Sequence, residues 1–170
     1  MSAPLSVFTR LAKDTIASAF TGKHPEASQS HELTRRAACF VSLHSADGSL
    51  RGCIGTLEPR KASLADEIRT NAISAAFHDP RFTPLRKEEL EGLEISVDVL
   101  HVPEVVESEV MLDPSIYGVI VENGNRRGVL LPNIPSVDTV KKQVGIAKQK
   151  AGIKPEEHVK LYRFLVDRYY

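Results

Sequence analysis

Two dipeptides constrain this chain more than anything else in it. Asp47-Gly48 and Asn123-Gly124 each separate runs of apolar and β-branched residues. Each is a signal for a tight type I′ hairpin turn, whose two central residues need positive φ. The two glycines lie 76 positions apart, and the same offset places Arg51 on Arg127, Gly52 on Gly128, Leu64 on Val140 and Ile68 on Val144. Such a match predicts two strand–turn–strand–helix–strand units in succession. The expected class is α+β, with antiparallel or mixed sheet packed by helices. Residues 1–170 then form one domain with two lobes, about 1–101 and 102–170, and a groove between them is the expected place for a ligand.

The remaining elements follow from periodicity. Leu5, Phe8, Leu11, Ala12, Ile16 and Phe20 keep the helical period over 4–20, with Pro4 suited to the start and Gly22 to the end. Residues 22–34 read as a polar surface loop. Ser63 is the expected N-cap of a helix running to about Phe77. The two prolines of His78–Leu85 impose an ordered loop. Alternation of Leu93, Ile95, Val97 and Val99 with polar residues predicts a strand buried on one face. A third helix is expected over about Val137–Ala151, ending at Gly152, and a single final strand over Val159–Asp167.

Composition narrows the function classes. The longest apolar stretches fall well short of the ~18 residues that cross a bilayer, and the N-terminus reads as an amphipathic helix rather than a signal peptide. No membrane association and a cytoplasmic location are therefore expected. Lys plus Arg equals Asp plus Glu at 22 each, and with few aromatic residues this gives nucleic-acid binding little support. Two cysteines and six scattered histidines offer no zinc spacing, and no phosphate-loop, dinucleotide or nucleophile-elbow motif is present. No metal is expected, and no cofactor is indicated.

The chemistry concentrates on the first hairpin. With Asp47-Gly48 at the turn centre, Ser42 faces Cys53, His44 faces Arg51 and Phe40 faces Gly55, all on one sheet face. Cys39 points to the other face, which disfavours a disulfide with Cys53. Arg51 beside the thiol is expected to favour a thiolate, with His44 acting in the same sense. Gly52 and Gly55 flank the thiol, as glycines do where a ligand or another backbone approaches closely. Thr56 completes this ligand-binding set, and Asp79 with Arg81 could hold a carboxylate or phosphate. The competing reading is a small buried cysteine with glycines that ease packing.

The string Leu50-Arg51-Gly52-Cys53-Ile54-Gly55-Thr56 resembles the signature of the AMMECR domain family, whose prokaryotic members are called AmmeMemoRadiSam system protein A. Asn71–Ala76 followed by Asp79-Pro80-Arg81-Phe82, Leu93–Leu100, Gly118–Pro132, and Lys150-Ala151-Gly152 with Tyr162-Arg163-Phe164 extend the likeness over nearly the whole chain. The resemblance implies a two-lobed α+β fold with the cysteine motif lining the groove. It also implies a pathway shared with Memo-type and radical-SAM proteins.

Two functions compete at this point. In the first, the chain is an enzyme or enzyme component acting on a small anionic ligand, with Cys53 as nucleophile or thiolate, Arg51 as its electrostatic partner and Asp79 with Arg81 orienting the ligand. In the second, it is an interaction module for a Memo-type or radical-SAM partner, and Cys53 is packing. A nucleic-acid-associated role is the weakest reading.

Overall fold

A computed structural model describes residues 5–23 and 30–170. Pro4 and His24 lie outside the described residues, as does the 24–29 part of the expected loop. The elements run α1 (Val7–Thr21), α2 (His31–Thr34), β1 (Cys39–His44), β2 (Leu50–Gly55), α3 (Leu64–Phe77), β3 (Glu94–Leu100), β4 (Glu104–Val106), β5 (Gly118–Asn123), β6 (Arg126–Leu130), α4 (Val140–Lys150), β7 (Lys160–Phe164) and β8 (Val166–Tyr169). Short 3₁₀ turns occupy Lys87–Glu89 and Glu109–Met111. None of the described helices is long and apolar enough to cross a membrane.

Helices α1, α3 and α4 begin where side chains satisfy their free N–H groups. Ser6, Ser63 and Thr139 each accept a hydrogen bond from the backbone N–H three residues on. Thr139, rather than a residue near Val137, therefore sets the start of α4. At the end of α1, Gly22 takes the left-handed conformation at φ 69°. His31–Thr34 forms one helical turn where a loop was expected, and its Leu33 is buried in the first core.

The chain divides into two compact units, 1–99 with 167–170, and 100–166. The first holds a four-stranded antiparallel sheet in the order β2-β1-β3-β8, the second one in the order β4-β7-β5-β6. The expected α+β class is what the fold shows. In the first unit Phe8, Leu11, Ile16, Leu64, Ile68 and Ala72 pack on Val41, Leu43 and Val97. In the second, Val144 and Ala147 pack on Val119, Val121 and Leu161. Residues 159–167 are not one strand. The chain breaks at Leu165, and β8 joins the first sheet while β7 stays in the second.

Neither hairpin uses the expected type I′ turn, since neither Asp47 nor Asn123 has positive φ. In the first, Ser45 N–H donates to Ser49 O (2.9 Å) and Gly48 N–H to Ser45 O (2.8 Å), closing a three-residue loop with only Gly48 left-handed. Asp47 Oδ1 accepts from Ser49 N–H (2.9 Å) and steadies it. The additional loop residue shifts the register. Leu43 pairs with Gly52 but His44 pairs with Leu50, which leaves Arg51 as a bulge residue and corrects the expected His44–Arg51 opposition. The second hairpin pairs Asn123 with Arg126 across Gly124-Asn125. Its only positive φ is at Gly124 (57°), the pattern of a type II′ turn.

Candidate functional site

The two faces of the first sheet differ in kind. Cys39, Val41 and Leu43 point toward the helices and are fully buried. Burial pushes the Cys39 thiol up to about 12, and Asn71 Nδ2 donates to its carbonyl at 2.9 Å. Both cysteines are free, Cys53 on the opposite face. That face carries a polar row across three strands, Cys53, Ser42 and Ser96, next to a row of Gly55, Phe40 and Asp98.

Cys53 is half-buried, and its Sγ accepts a hydrogen bond from Ser42 Oγ at 3.2 Å. Burial pushes this thiol up; the Ser42 hydrogen bond and the Arg81 charge oppose that, while Asp98 and Asp79 add to it. The thiol is thus held neutral at neutral pH, contrary to the expected activation. Arg51 does not face it. As the bulge residue it is aimed at the following loop, where Nε and Nη2 donate to Glu89 (2.7 and 3.2 Å) and Nη1 donates to Thr83 O (3.0 Å). His44 stands opposite Leu50 and Glu94, with no hydrogen bond to Cys53 among the described residues.

Asp79 and Arg81 do meet Cys53, through its backbone. β2 is an edge strand, and the peptide groups of Cys53 that turn away from β1 would otherwise lack partners. Asp79 Oδ2 accepts the Cys53 N–H at 2.9 Å, and Arg81 Nη2 donates to the Cys53 carbonyl at 3.1 Å. The two side chains also join each other, Arg81 Nε to Asp79 Oδ1 at 3.0 Å and Nη2 to Oδ2 at 2.7 Å. The ion pair takes the place of a neighbouring strand. Asp79 is 1% exposed and held well below the usual carboxylate range, chiefly by the Arg81 hydrogen bonds. Arg81 remains 54% exposed. Together with Arg51, this pair ties residues 79–89 along the β2 edge as a strap.

The glycines are explained by packing. A Cβ on Gly52 would lie 2.2 Å from the Ala75 carbonyl oxygen of α3, and one on Gly55 would lie 2.2 Å from the Phe40 ring. The space expected for a ligand beside each is filled by the protein itself. Thr56 donates to Glu67, a fully buried carboxylate that also accepts from the N–H groups of Arg60 (2.9 Å) and Lys61 (2.8 Å). It holds the loop after β2 in place.

Three groups were not singled out from sequence. Asp98 is 2% exposed and takes a bidentate pair from Arg168, Nε at 2.7 Å and Nη2 at 2.8 Å. Glu89 and Glu67 act as clamps. Only Asp98 left a legible signal, a charged residue in the alternating strand that continues the Cys53 face. Among the described residues no group of His, Cys, Asp and Glu could hold a metal ion.

This geometry defines an α+β protein with one half-buried thiol, backbone-clamped on an edge strand. The AMMECR1 family model matches residues 9–169, so the chain belongs to the AMMECR1 family. A protein of Thermotoga maritima is 55% identical over 147 residues, covering 85% of this chain and 84% of that protein. A protein of Clostridium acetobutylicum is 48% identical over 130 residues, covering 76% of this chain but 27% of that longer protein. The crystal structure of an uncharacterized protein from Pyrococcus horikoshii matches with a TM-score of 0.84 at 31% identity, covering 95% of this chain and 88% of that one.

Proposed function

We propose that the Cys53 face binds a small anionic ligand, with Arg81 as its charged contact and the Cys53 thiol and Ser42 hydroxyl as its polar floor. The observation that carries this is the Asp79–Arg81 clamp. It fixes the Cys53 peptide on both sides while leaving the guanidinium half in solvent beside the thiol. A neutral thiol fits a binding role better than an unassisted nucleophile, because the thiolate is the reactive form. The ligand would belong to a pathway served by Memo-type and radical-SAM proteins, as the family resemblance implies.

The test is alkylation of Cys53 by iodoacetamide in a Cys39→Ser background, from pH 7 to 10, with and without inorganic phosphate or citrate. The expected result is a midpoint above that of an ordinary thiol, slowing by at least one of the anions, and loss of that slowing in Arg81→Gln. Rates that neither anion changes at any pH would overturn the reading.

A second reading, a docking module for a Memo-type or radical-SAM partner, is favoured by a separate observation. Val102 and Val110 in the second unit are almost fully exposed, and Val105 and Ile116 are half exposed. Binding of either purified partner that survives Cys53→Ala but not Val110→Asp would favour this reading.

A further inference from the structure

The two sheets share one plan. The first runs β2-β1-β3 and then β8; the second runs β6-β5-β7 and then β4. In each, the hairpin and third strand come from one stretch of chain, and the fourth strand comes from the other. After β3 the chain enters the second sheet as β4; after β7 it enters the first as β8. The two crossing segments touch, His101 N–H donating to Leu165 O at 2.9 Å. The pattern is that of two repeats that have exchanged their last strands within one chain.

The contacts that hold β8 in the first unit are carried by its own residues. Arg168 grips the buried Asp98, Tyr169 packs at a tilt against Phe8 with ring centroids 4.4 Å apart, and just past the strand Tyr170 O accepts the Ser6 N–H at 3.0 Å. Only Leu165, 42% exposed, separates β8 from β7. If that residue extends, Lys160–Tyr169 becomes one continuous strand roughly 33 Å long at about 3.3 Å per residue. A β8 supplied by another copy would make every one of these contacts unchanged, and only the hinge conformation would differ.

We propose that β8 is an exchangeable strand, and that two copies of this chain pair by each laying Val166–Tyr169 beside β3 of the other. Each would then receive Arg168 of the partner subunit at its own Asp98, on the sheet face that carries Cys53. The occupant is a second copy because the edge of β3 offers a buried carboxylate that this one strand already neutralises.

A charge reversal tests this with the whole chain. Asp98→Arg sets two arginines against each other in a closed monomer, and Arg168→Asp sets two aspartates. Mixed after joint refolding, the two variants restore both opposite-charge pairs only by exchanging β8. The expected result is a species of twice the single-chain mass by light scattering in the mixture, absent from either variant alone. A mixture that refolds and stays single-chain overturns the proposal. If the variants fail to refold, the unaltered chain refolded at rising concentration and a Leu165 deletion decide it. A two-chain fraction that grows with concentration, and dominates in the deletion, supports exchange; single chains throughout overturn it.

Discussion

The two hairpins are built on one contact and put it to different use. Gly52 and Gly128 both press against a helix carbonyl oxygen, that of Ala75 in the first unit and Ala147 in the second, where an added Cβ would come within 2.2 and 1.9 Å. The residue after each glycine, Cys53 or Val129, therefore turns to the face away from the helix. Around Cys53 lie Ser42 and Ser96; around Val129 lie Ile120 and Tyr162. Where the first unit has the buried Asp98, the second has Phe164 lying against Gly118. One scaffold thus carries a polar face in one copy and an apolar face in the other. The loops differ to match: a three-residue loop with a bulge frees Arg51 to hold the strap, and a two-residue loop keeps Arg127 opposite Glu122.

The comparison breaks most sharply at Asp98. Arg168→Leu strands a buried carboxylate, and urea unfolding should register a loss of about 3–4 kcal/mol at neutral pH. The shared contact should fail in both units. Gly128→Ala and Gly52→Ala are each expected to lose about 2–3 kcal/mol, Gly128 more, by the same measurement.

Acid should affect the units in parallel. Hydrogen bonds from Arg51 hold Glu89 down to about 2, and those from Arg126 hold Glu157 down to about 2. A depressed carboxyl contributes its full stabilisation above its unfolded value, near 4.3, and loses it as pH falls from there toward 2. Arg51→Ala is expected to lower stability at pH 7 while narrowing the difference between pH 7 and pH 3. Arg126→Ala should narrow it independently, and the double variant should narrow it further, as read from urea midpoints at the two pH values. The smallest effect is chemical. Ser42→Ala removes a hydrogen bond that stabilises the Cys53 thiolate, so the alkylation midpoint of Cys53 should rise further while stability changes by about 1 kcal/mol or less.

Much of the first unit was legible because its signals are local. Ser63 has a hydroxyl that can cap a helix, and Leu93 to Val99 alternate without interruption, although β3 is buried on both faces rather than the expected one, Ser96 and Asp98 included. The Ser42–Cys53 pairing was also legible, since an error of one loop residue was absorbed by the bulge before it reached that rung. The place of Arg51 is not legible for the same reason: loop length and bulge position are set jointly by turn strain and by the packing of Gly52, and neither can be seen in a dipeptide. Asp79 and Arg81 do form an ion pair, but their attachment to the Cys53 backbone depends on β2 being an edge strand. Strand order is not encoded in local spacing.

Sequence alone determined the repeat, the three longer helices with the Ser63 and Gly22 caps, the α+β class and the family, because periodicity, turn residues and a seven-residue motif are written over short distances. Tertiary structure alone decided that β8 leaves its neighbour β7 for the other sheet, that the glycines of the motif receive a helix backbone and an aromatic ring, and that the thiol is held neutral. Each of those rests on what comes near from far along the chain. Burial, pairing and charge there are properties of the assembled neighbourhood and not of the residues taken in order.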